Sequence, residues 1–479
     1  MRLRDRHKTV INRPINVFRE IETSARGPVM QLRHGAFAAA LIAGLVGGHP
    51  AGAQMADARL AKIGHIVVIY EENRSFDNMF GLFPGANGLS AAGEAAVQVD
   101  RDGKPYQHLP PIINSNLNPP AVDARFPAPL PNAPFQIDRY VPRNIATGDL
   151  VHRFYQEQEQ IDGGKMDKFA AISDAGGLVM GYYDFSDTAQ WRLAKEFTLA
   201  DNMFHSAFGG SMLNHAFFVC LCAFRWPDAP PQIVASIDAN GGMLKDGQVS
   251  PDSYVINTSR SVLLHAPSDT NPKLLVPPQT MPHIGDRLDA RAVSWKWYSG
   301  GYADAAAGRV PQRFEFHHQP LAFFADLAPG TPGQGAHLKD SADLEADIAN
   351  DTLPQVVFYK PIAKMNLHPG YTDLESGDEH LNELIVKLQK TAAYQDMLII
   401  VTYDENGGFW DHVAPPKRDR WGPGTRVPLI AIGPAVKRGA IDHTQYETAS
   451  ILKTIEDRFG LAPLNDLDAK ANSLAALLQ

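Results

Sequence analysis

Four short apolar runs constrain this chain most: HIVVIY at His65–Tyr70, QVVFY at Gln355–Tyr359, MLIIVTY at Met397–Tyr403 and VPLIAIG at Val427–Gly433. They are rich in β-branched residues and lack the polar alternation of a strand with one wet face. Such runs predict strands covered on both sides, as in a parallel sheet flanked by helices. Helical patterns occupy Gly377–Thr391 and Glu447–Phe459, where Ala449, Leu452, Ile455 and Phe459 lie near one face. Strands alternating with helices predict an α/β fold, with a doubly wound, mostly parallel central sheet and helices on both faces. Two segments break the pattern. Residues 84–144 are rich in proline and read as a surface excursion. Residues 227–350 hold turn clusters and few periodic runs, and read as an insertion forming a cap or lid. The expected organisation is one domain over residues 54–479 carrying these two insertions.

The first 53 residues read separately. Residues 1–29 are basic and without obvious periodicity. From Met30 the chain runs through Arg33 and His34, an apolar stretch from Ala36 to Val46, and Ala51-Gly52-Ala53. That is the layout of a secretory signal peptide. It predicts a start at Met30, cleavage after Ala53, and export to the periplasm or medium. An uncleaved anchor is the alternative, although the stretch is short for a membrane span. No Arg-Arg pair supports a twin-arginine route.

The 479 residues are 44% hydrophobic and 20% charged, ordinary for a globular protein. A net charge of −9 argues against a broad basic surface, so no nucleic-acid partner is expected. The two cysteines, Cys220 and Cys222, sit in the apolar run FFVCLCAF. A bond between cysteines two apart would be strained, so both are expected as buried thiols.

In open α/β sheets chemistry gathers outside the carboxyl ends of the strands. HIVVIY is followed by Glu71-Glu72-Asn73-Arg74-Ser75-Phe76-Asp77. MLIIVTY is followed by Asp404-Glu405-Asn406-Gly407-Gly408 and then Trp410-Asp411-His412. Carboxylates and an amide are hard oxygen ligands for a divalent cation, and neighbouring strands would bring the two sets together. Either motif alone is equally an ordinary acidic turn. A third element, Gly209-Gly210-Ser211-Met212-Leu213-Asn214-His215, leads into a helix-like run. A serine there lies among free backbone N–H groups, where a phosphate can sit. Its hydroxyl is a weak nucleophile until a base or metal activates it. By itself this is also a common helix cap.

Five segments taken in order carry a resemblance: HIVVIYEENRSFDNMFG, His152–Phe169 (HRFYQEQEQIDGGKMDKF), GGSMLNH, Leu367–Asp378 (LHPGYTDLESGD) and TYDENGGFWDHVAPP. Together they resemble the bacterial phosphoesterase family, which holds phosphocholine-type phospholipases C and an acid phosphatase branch on an alkaline-phosphatase-like fold. The resemblance implies metal ligation by Glu72, Asn73, Asp404 and Glu405, with Ser211 as the nucleophile against the metal. It places His152, His368 and His412 by motif position at the phosphate, a structural role for each staying open. Asn214 and His215 would contact the phosphate or shape its loop. Phospholipase C members carry a threonine in a GPT-x-x-N-R-like segment. Serine without a preceding proline, and His215 where arginine would stand, are similar to the acid phosphatase branch.

The expected activity is that of an exported, metal-dependent acid phosphatase hydrolysing phosphomonoesters through a phosphoserine. His368 or His412 would protonate the leaving oxygen, while Asn73 and His152 steady the phosphate. One divalent ion is expected; Ca, Mg, Mn, Zn and Fe all stay open. The alternatives are a phospholipase C acting on phospholipid head groups, with membrane lipid as partner, and a catalytically inactive, metal-stabilised binding protein. The C/S-x-P-x-R context of a sulfatase is absent. Nothing in the sequence bears on oligomeric state.

Overall fold

Strand β1 (His65–Glu71) is buried from Ile66 onward and lies inside an eight-stranded sheet. The computed structural model describes residues 57–479, so the predicted leader and its cleavage site lie outside the described residues. The other strands are β2 (Thr198–Ala200), β3 (Trp295–Ser299), β4 (Leu338–Asp340), β5 (Val356–Lys360), β6 (Met397–Tyr403), β7 (Leu429–Ile432) and β8 (Ala440–Asp442). Their order across the sheet is β4-β3-β5-β1-β6-β7-β2-β8. Neighbours pair in parallel except β7, which runs antiparallel to both β6 and β2. The apolar run at Val427–Gly433 is thus a strand, but a reversed one. Burial pattern carries no information about direction.

Helices cover both faces. Helix α1 spans Ala189–Glu196, α2 Ser211–Cys220, α3 Leu374–Leu388 and α4 Thr448–Phe459. Tyr70 packs against Phe218 of α2, with ring centroids 4.5 Å apart. Tyr403, the register partner of Glu71, donates to Gln190 of α1 at 2.7 Å. Successive strand residues point to opposite faces, so α1 and α2 lie on opposite sides of the sheet. Helix α3 packs on α1, and α4 on α2. The buried stripe of α3, Leu374, Leu381, Leu384, Ile385 and Leu388, has the spacing of one helical face.

Residues 227–350 are not a cap standing apart from the core. Their later part supplies β3 and β4 to the sheet. Strand β3 reads WKWYS, carried by aromatic rings rather than by a β-branched run, and so shows no apolar signature in sequence. Trp297 is fully buried against Phe358 of β5 (5.3 Å between centroids) and Phe218 (5.8 Å). Residues 84–144 hold three two-residue strands and place Leu109, Ile112, Phe126, Leu130, Ile137 and Val141 in the buried core.

The expectation of free thiols fails. Cys220 and Cys222 are joined by a disulfide, their Cα atoms 5.2 Å apart. Leu221 between them ends α2 in the left-handed conformation (φ 49°) and turns the two side chains together. The expectation assumed a regular backbone through that point.

Because Trp297 belongs to the core, Trp297→Ala should destabilise the whole fold by about 3–5 kcal/mol. Urea unfolding checks this. A loss below about 1 kcal/mol would mean that this region is a detachable cap after all.

Candidate active site

The parallel register brings three strand ends together. Tyr403 pairs with Glu71 and Tyr359 with Ile69, so Glu72, Asp404 and Lys360 emerge side by side. Asp404 Oδ1 joins two of these ends by accepting from Asn73 N at 3.1 Å and Glu405 N at 2.9 Å. Asn73 itself is left-handed (φ 61°). Gly407, also left-handed, passes so close that a Cβ there would collide with the Asn73 carbonyl.

Ser211 opens α2 and faces this acidic corner. Its Oγ lies 3.2 Å from Glu72 Oε2, 3.3 Å from Asn73 Oδ1 and 3.4 Å from Glu405 Oε1. The glycines before it are required by close approach, since a side chain on Gly209 would strike the backbone of Phe154. Glu157 holds the loop from behind. It accepts from Gly209 N with one oxygen and meets His205 Nε2 at 3.0 Å with the other, both side chains being buried. Asn214 is used within the same loop: it donates to Ala207 O (2.9 Å) and Gly209 O (3.1 Å) and accepts from Ala207 N (3.0 Å).

The Asn73 amide divides the site. Its oxygen faces Ser211, and its nitrogen faces His152 Nε2 at 3.2 Å and His368 Nε2 at 3.1 Å. Each ring anchors its Nδ1 on a backbone carbonyl, Leu150 O (2.5 Å) for His152 and Pro369 O (2.6 Å) for His368. With Nδ1–H donating, each Nε2 is left to accept from the amide. Burial pushes the His368 imidazole down to about 4. On the far side of Glu72, Oε1 is 2.5 Å from Lys360 Nζ and 2.9 Å from His318 Nε2. His215 donates from Nδ1 to Ser211 O (2.7 Å) and stacks on His318 at 5.3 Å, with His317 beside both. Burial lowers the proton affinity of all three of these rings.

Glu72, Asp404 and Glu405 are all buried. Burial, with Glu72 nearby, pushes the Asp404 carboxyl up to about 7; burial and Asp404 raise Glu405 well above the usual range. Burial also opposes ionisation of Glu72, but Lys360 and His318 hold it well below that range. Buried carboxylates crowded around a hydroxyl and an amide oxygen are what a hard divalent cation requires. Glu72 Oε2, Asn73 Oδ1 and Glu405 Oε1 converging within 3.4 Å of Ser211 Oγ add to the fit. The residues therefore suit a divalent cation held by Glu72, Asn73, Asp404 and Glu405 beside Ser211.

Of the expected site residues, Glu72, Asn73, His152, Ser211, His368, Asp404 and Glu405 gather at one place. Asn214 and His215 lie behind the nucleophile and shape its loop. His412 goes elsewhere: its ring meets Asp77 Oδ2 at 2.6 Å and Asn87 Oδ1 at 3.1 Å. Arg426 binds Asp411 (2.8 Å) and Asp77 (3.3 Å) in that same cluster, and no hydrogen bond of His412 reaches Ser211. The loop after Gly407-Gly408 has turned away from the serine by then. Sequence reasoning passed over Lys360, His317 and His318. The signals were a lysine directly after QVVFY and the adjacent pair in FEFHHQ.

The sequence pattern that defines the phosphoesterase family matches residues 63–462. The chain belongs to the phosphoesterase family. By that membership it is a phosphoric ester hydrolase. This phosphoesterase is similar to "Phospholipase C A" of Mycobacterium tuberculosis, 26% identical over 86% of this chain and 75% of that protein. It is also similar to "Non-hemolytic phospholipase C" of Burkholderia pseudomallei, 26% identical over 83% of this chain and 55% of the other. Among solved structures, a protein in the alkaline phosphatase superfamily from Vibrio parahaemolyticus matches with a TM-score of 0.35. That match has 13% identity and covers 62% of this chain and 65% of the other.

The raised carboxyls give a sign to the pH dependence of the metal-free phosphoesterase. Asp404 rises from 3.8 to about 7, so between those values the native state binds more protons than the unfolded one, and stability falls as pH rises. Glu405 acts in the same direction. Glu72, held low, acts oppositely, but only below its ordinary value of 4.5. The buried His215, His317, His318 and His368, held below the ordinary imidazole value of 6.5, act oppositely up to that pH. The carboxyls are therefore read by difference: from pH 5 to pH 7 the gain in melting temperature that a saturating divalent cation gives over the chelated protein should grow. Parallel pH profiles with and without the cation would contradict this electrostatic reading.

Proposed function

We propose that this phosphoesterase is a metal-dependent acid phosphatase acting on phosphomonoesters through a phosphoseryl intermediate at Ser211. The carrying observation is Ser211 Oγ within 3.4 Å of oxygens from Glu72, Asn73 and Glu405. Glu72, Asn73, Asp404 and Glu405 would hold a divalent cation, which would supply a Lewis acid lowering the proton affinity of the Ser211 hydroxyl. Ser211 Oγ attacks phosphorus in line, forming its P–O bond as the bond to the leaving oxygen breaks. The seryl proton would leave to water as the cation binds, since Glu72, the nearest carboxylate, is held ionised by Lys360 and His318. Asn73 Nδ2 and the N–H groups opening α2 bind the non-bridging oxygens. His368 is uncharged at rest. An arriving phosphate dianion raises its proton affinity, so that Nε2 can carry a proton to the leaving oxygen, with His152 beside it. Water then attacks phosphorus, the P–O bond to Ser211 breaks, and inorganic phosphate leaves as Ser211 regains its proton. His412 has no part in this scheme, which leaves His368 as the acid.

A monoester suits the surroundings. It presents three non-bridging oxygens and up to two negative charges, and the pocket supplies histidines and an amide to meet them. Activity on the acidic side of neutral follows, since the donor must be protonated. The mouth is a cavity of about 400 Å³ lined by Asp149, His152, Arg153, Asp174, Gly210 and Tyr371, with room for a small leaving group. Export is our reading of residues 30–53, with the protein periplasmic or secreted. Among the described residues no helix is long and apolar enough to cross a membrane.

A second reading, a phospholipase C, has its own support. The curated relatives above carry that name. A hairpin of Ser236–Ile237 and Met243–Lys245 exposes Leu244 (70%) and Ile237 (39%). Its base is tied to the mouth by Asp246, 2.5 Å from Arg153. Exposed apolar residues there would suit a lipid surface.

Hydrolysis of p-nitrophenyl phosphate and p-nitrophenyl phosphorylcholine across pH 5 to 8 separates the readings. Our reading expects the monoester to be preferred, with a rate rising toward pH 5, and Ser211→Ala to lose at least about 10³-fold in kcat. Exclusive diester activity would move the protein to the second reading. Near-wild-type turnover in Ser211→Ala would sink both.

A further inference from the structure

Charge counting around Ser211 bears on how many ions the site takes. Glu72, Asp404 and Glu405 are three carboxylates, each no more than 1% exposed. Three negative charges at that depth call for three positive ones, because an uncompensated buried charge is strongly destabilising. Glu157, behind the serine loop, meets His205 Nε2 at 3.0 Å. One divalent ion contributes two of the three charges.

Lys360 contributes the third, and its placement is specific. Its side chain is fully buried at the end of β5. Nζ lies 2.5 Å from Glu72 Oε1 and 4.0 Å from Asp404 Oδ2, donates to Glu71 O at 3.1 Å, and stands 4.9 Å from the centre of the Tyr70 ring. Each carboxylate is split between two sides. Glu72 turns Oε2 to Ser211 and Oε1 to Lys360. Asp404 uses Oδ1 for two backbone N–H groups and turns Oδ2, which lacks a hydrogen-bond partner, toward Lys360 and His215. His318 Nε2 reaches the same Glu72 oxygen at 2.9 Å. Glu72, His215 and His318 each offer a ligand atom within 4.8 Å of the others. Two carboxylate oxygens and imidazoles form a ligand set that a borderline divalent ion accepts. The Lys360 ammonium stands against both of these carboxylate oxygens.

We propose that Lys360 is a resident cation: it fills a second cation position lined by Glu72, Asp404, His215 and His318, and thereby limits the site to one divalent ion. The inference rests on the reading that the Ser211 side holds such an ion. A lysine serving only to bind substrate would have a free tip, whereas this one is engaged by Glu72 and the Glu71 carbonyl.

The test is stoichiometry rather than turnover. The full chain, stripped by chelator, is dialysed against Zn²⁺ and its metal content measured, with circular dichroism as the check on folding. The expected values are one equivalent per chain for wild type, two for Lys360→Met and one for Lys360→Arg, which keeps the charge. The double variant Lys360→Met/His318→Ala should return to one. A folded Lys360→Met that still takes one equivalent overturns the inference, as does a double variant that keeps two. Should Lys360→Met fail to fold, the wild type decides: a second equivalent that His318→Ala removes overturns the inference, and a single equivalent supports it. Zero equivalents in the wild type would instead overturn the metal-dependent function on which it rests.

Discussion

Three carboxylates enclosed at the ends of adjacent strands are the constraint to which the rest of the site answers. Like charges at this depth repel one another and lose their hydration, an arrangement no fold keeps without compensation. The backbone gives part of it, through the N–H groups of Asn73, Glu405 and Gly407. Lys360 and His318 give more, chiefly at Glu72, with Lys360 Nζ also 4.0 Å from Asp404 Oδ2. The remaining imbalance, seen in the raised Asp404 and Glu405 carboxyls, is what the proposed divalent cation would remove. The parallel sheet makes this possible, because parallel neighbours deliver their carboxyl ends, and whatever follows them, to one edge.

Around that corner the structure separates holding from reacting. Glu157, His205 and Asn214 fix the loop that leads to Ser211 without touching the reaction space. Asn73 joins the two sides, its oxygen with the carboxylates and its nitrogen with His152 and His368. His412, Asp77, Asp411 and Arg426 form a distinct buried ion-pair cluster beneath the same loops. One removed from the site can still matter to it, because this cluster ties the segment after β1 to the segment after β6.

Much of this was legible in the residues, for stated reasons. Buried parallel strands declare themselves as apolar runs, and β1, β5 and β6 did so within a residue or two of their observed limits. The acids directly after β1 and β6, and the serine after two glycines, proved to be spatial neighbours. Other features left no such trace. Strand direction is not encoded in burial, which hid the reversal of β7. Strand β3 is built from Trp295, Trp297 and Tyr298, and rings at such spacing do not distinguish a strand from a loop. His412 sat beside an acidic motif by sequence yet points away, whereas His318, more than 80 residues from that motif in a stretch read as an insertion, reaches Glu72. Proximity along the chain was a poor guide wherever a loop decided orientation. The Cys220–Cys222 bond depended on a single left-handed residue.

The central claim is that the serine in this acidic corner is the group that takes the phosphoryl. It is tested most directly by acid-quenching the enzyme during turnover of a phosphomonoester and mapping the peptides by mass spectrometry. The account predicts one added phosphoryl group, located on Ser211 and absent from Ser211→Ala. An enzyme that turns over with no covalent phosphoryl trapped at any quench time, or with one on another residue, would contradict it.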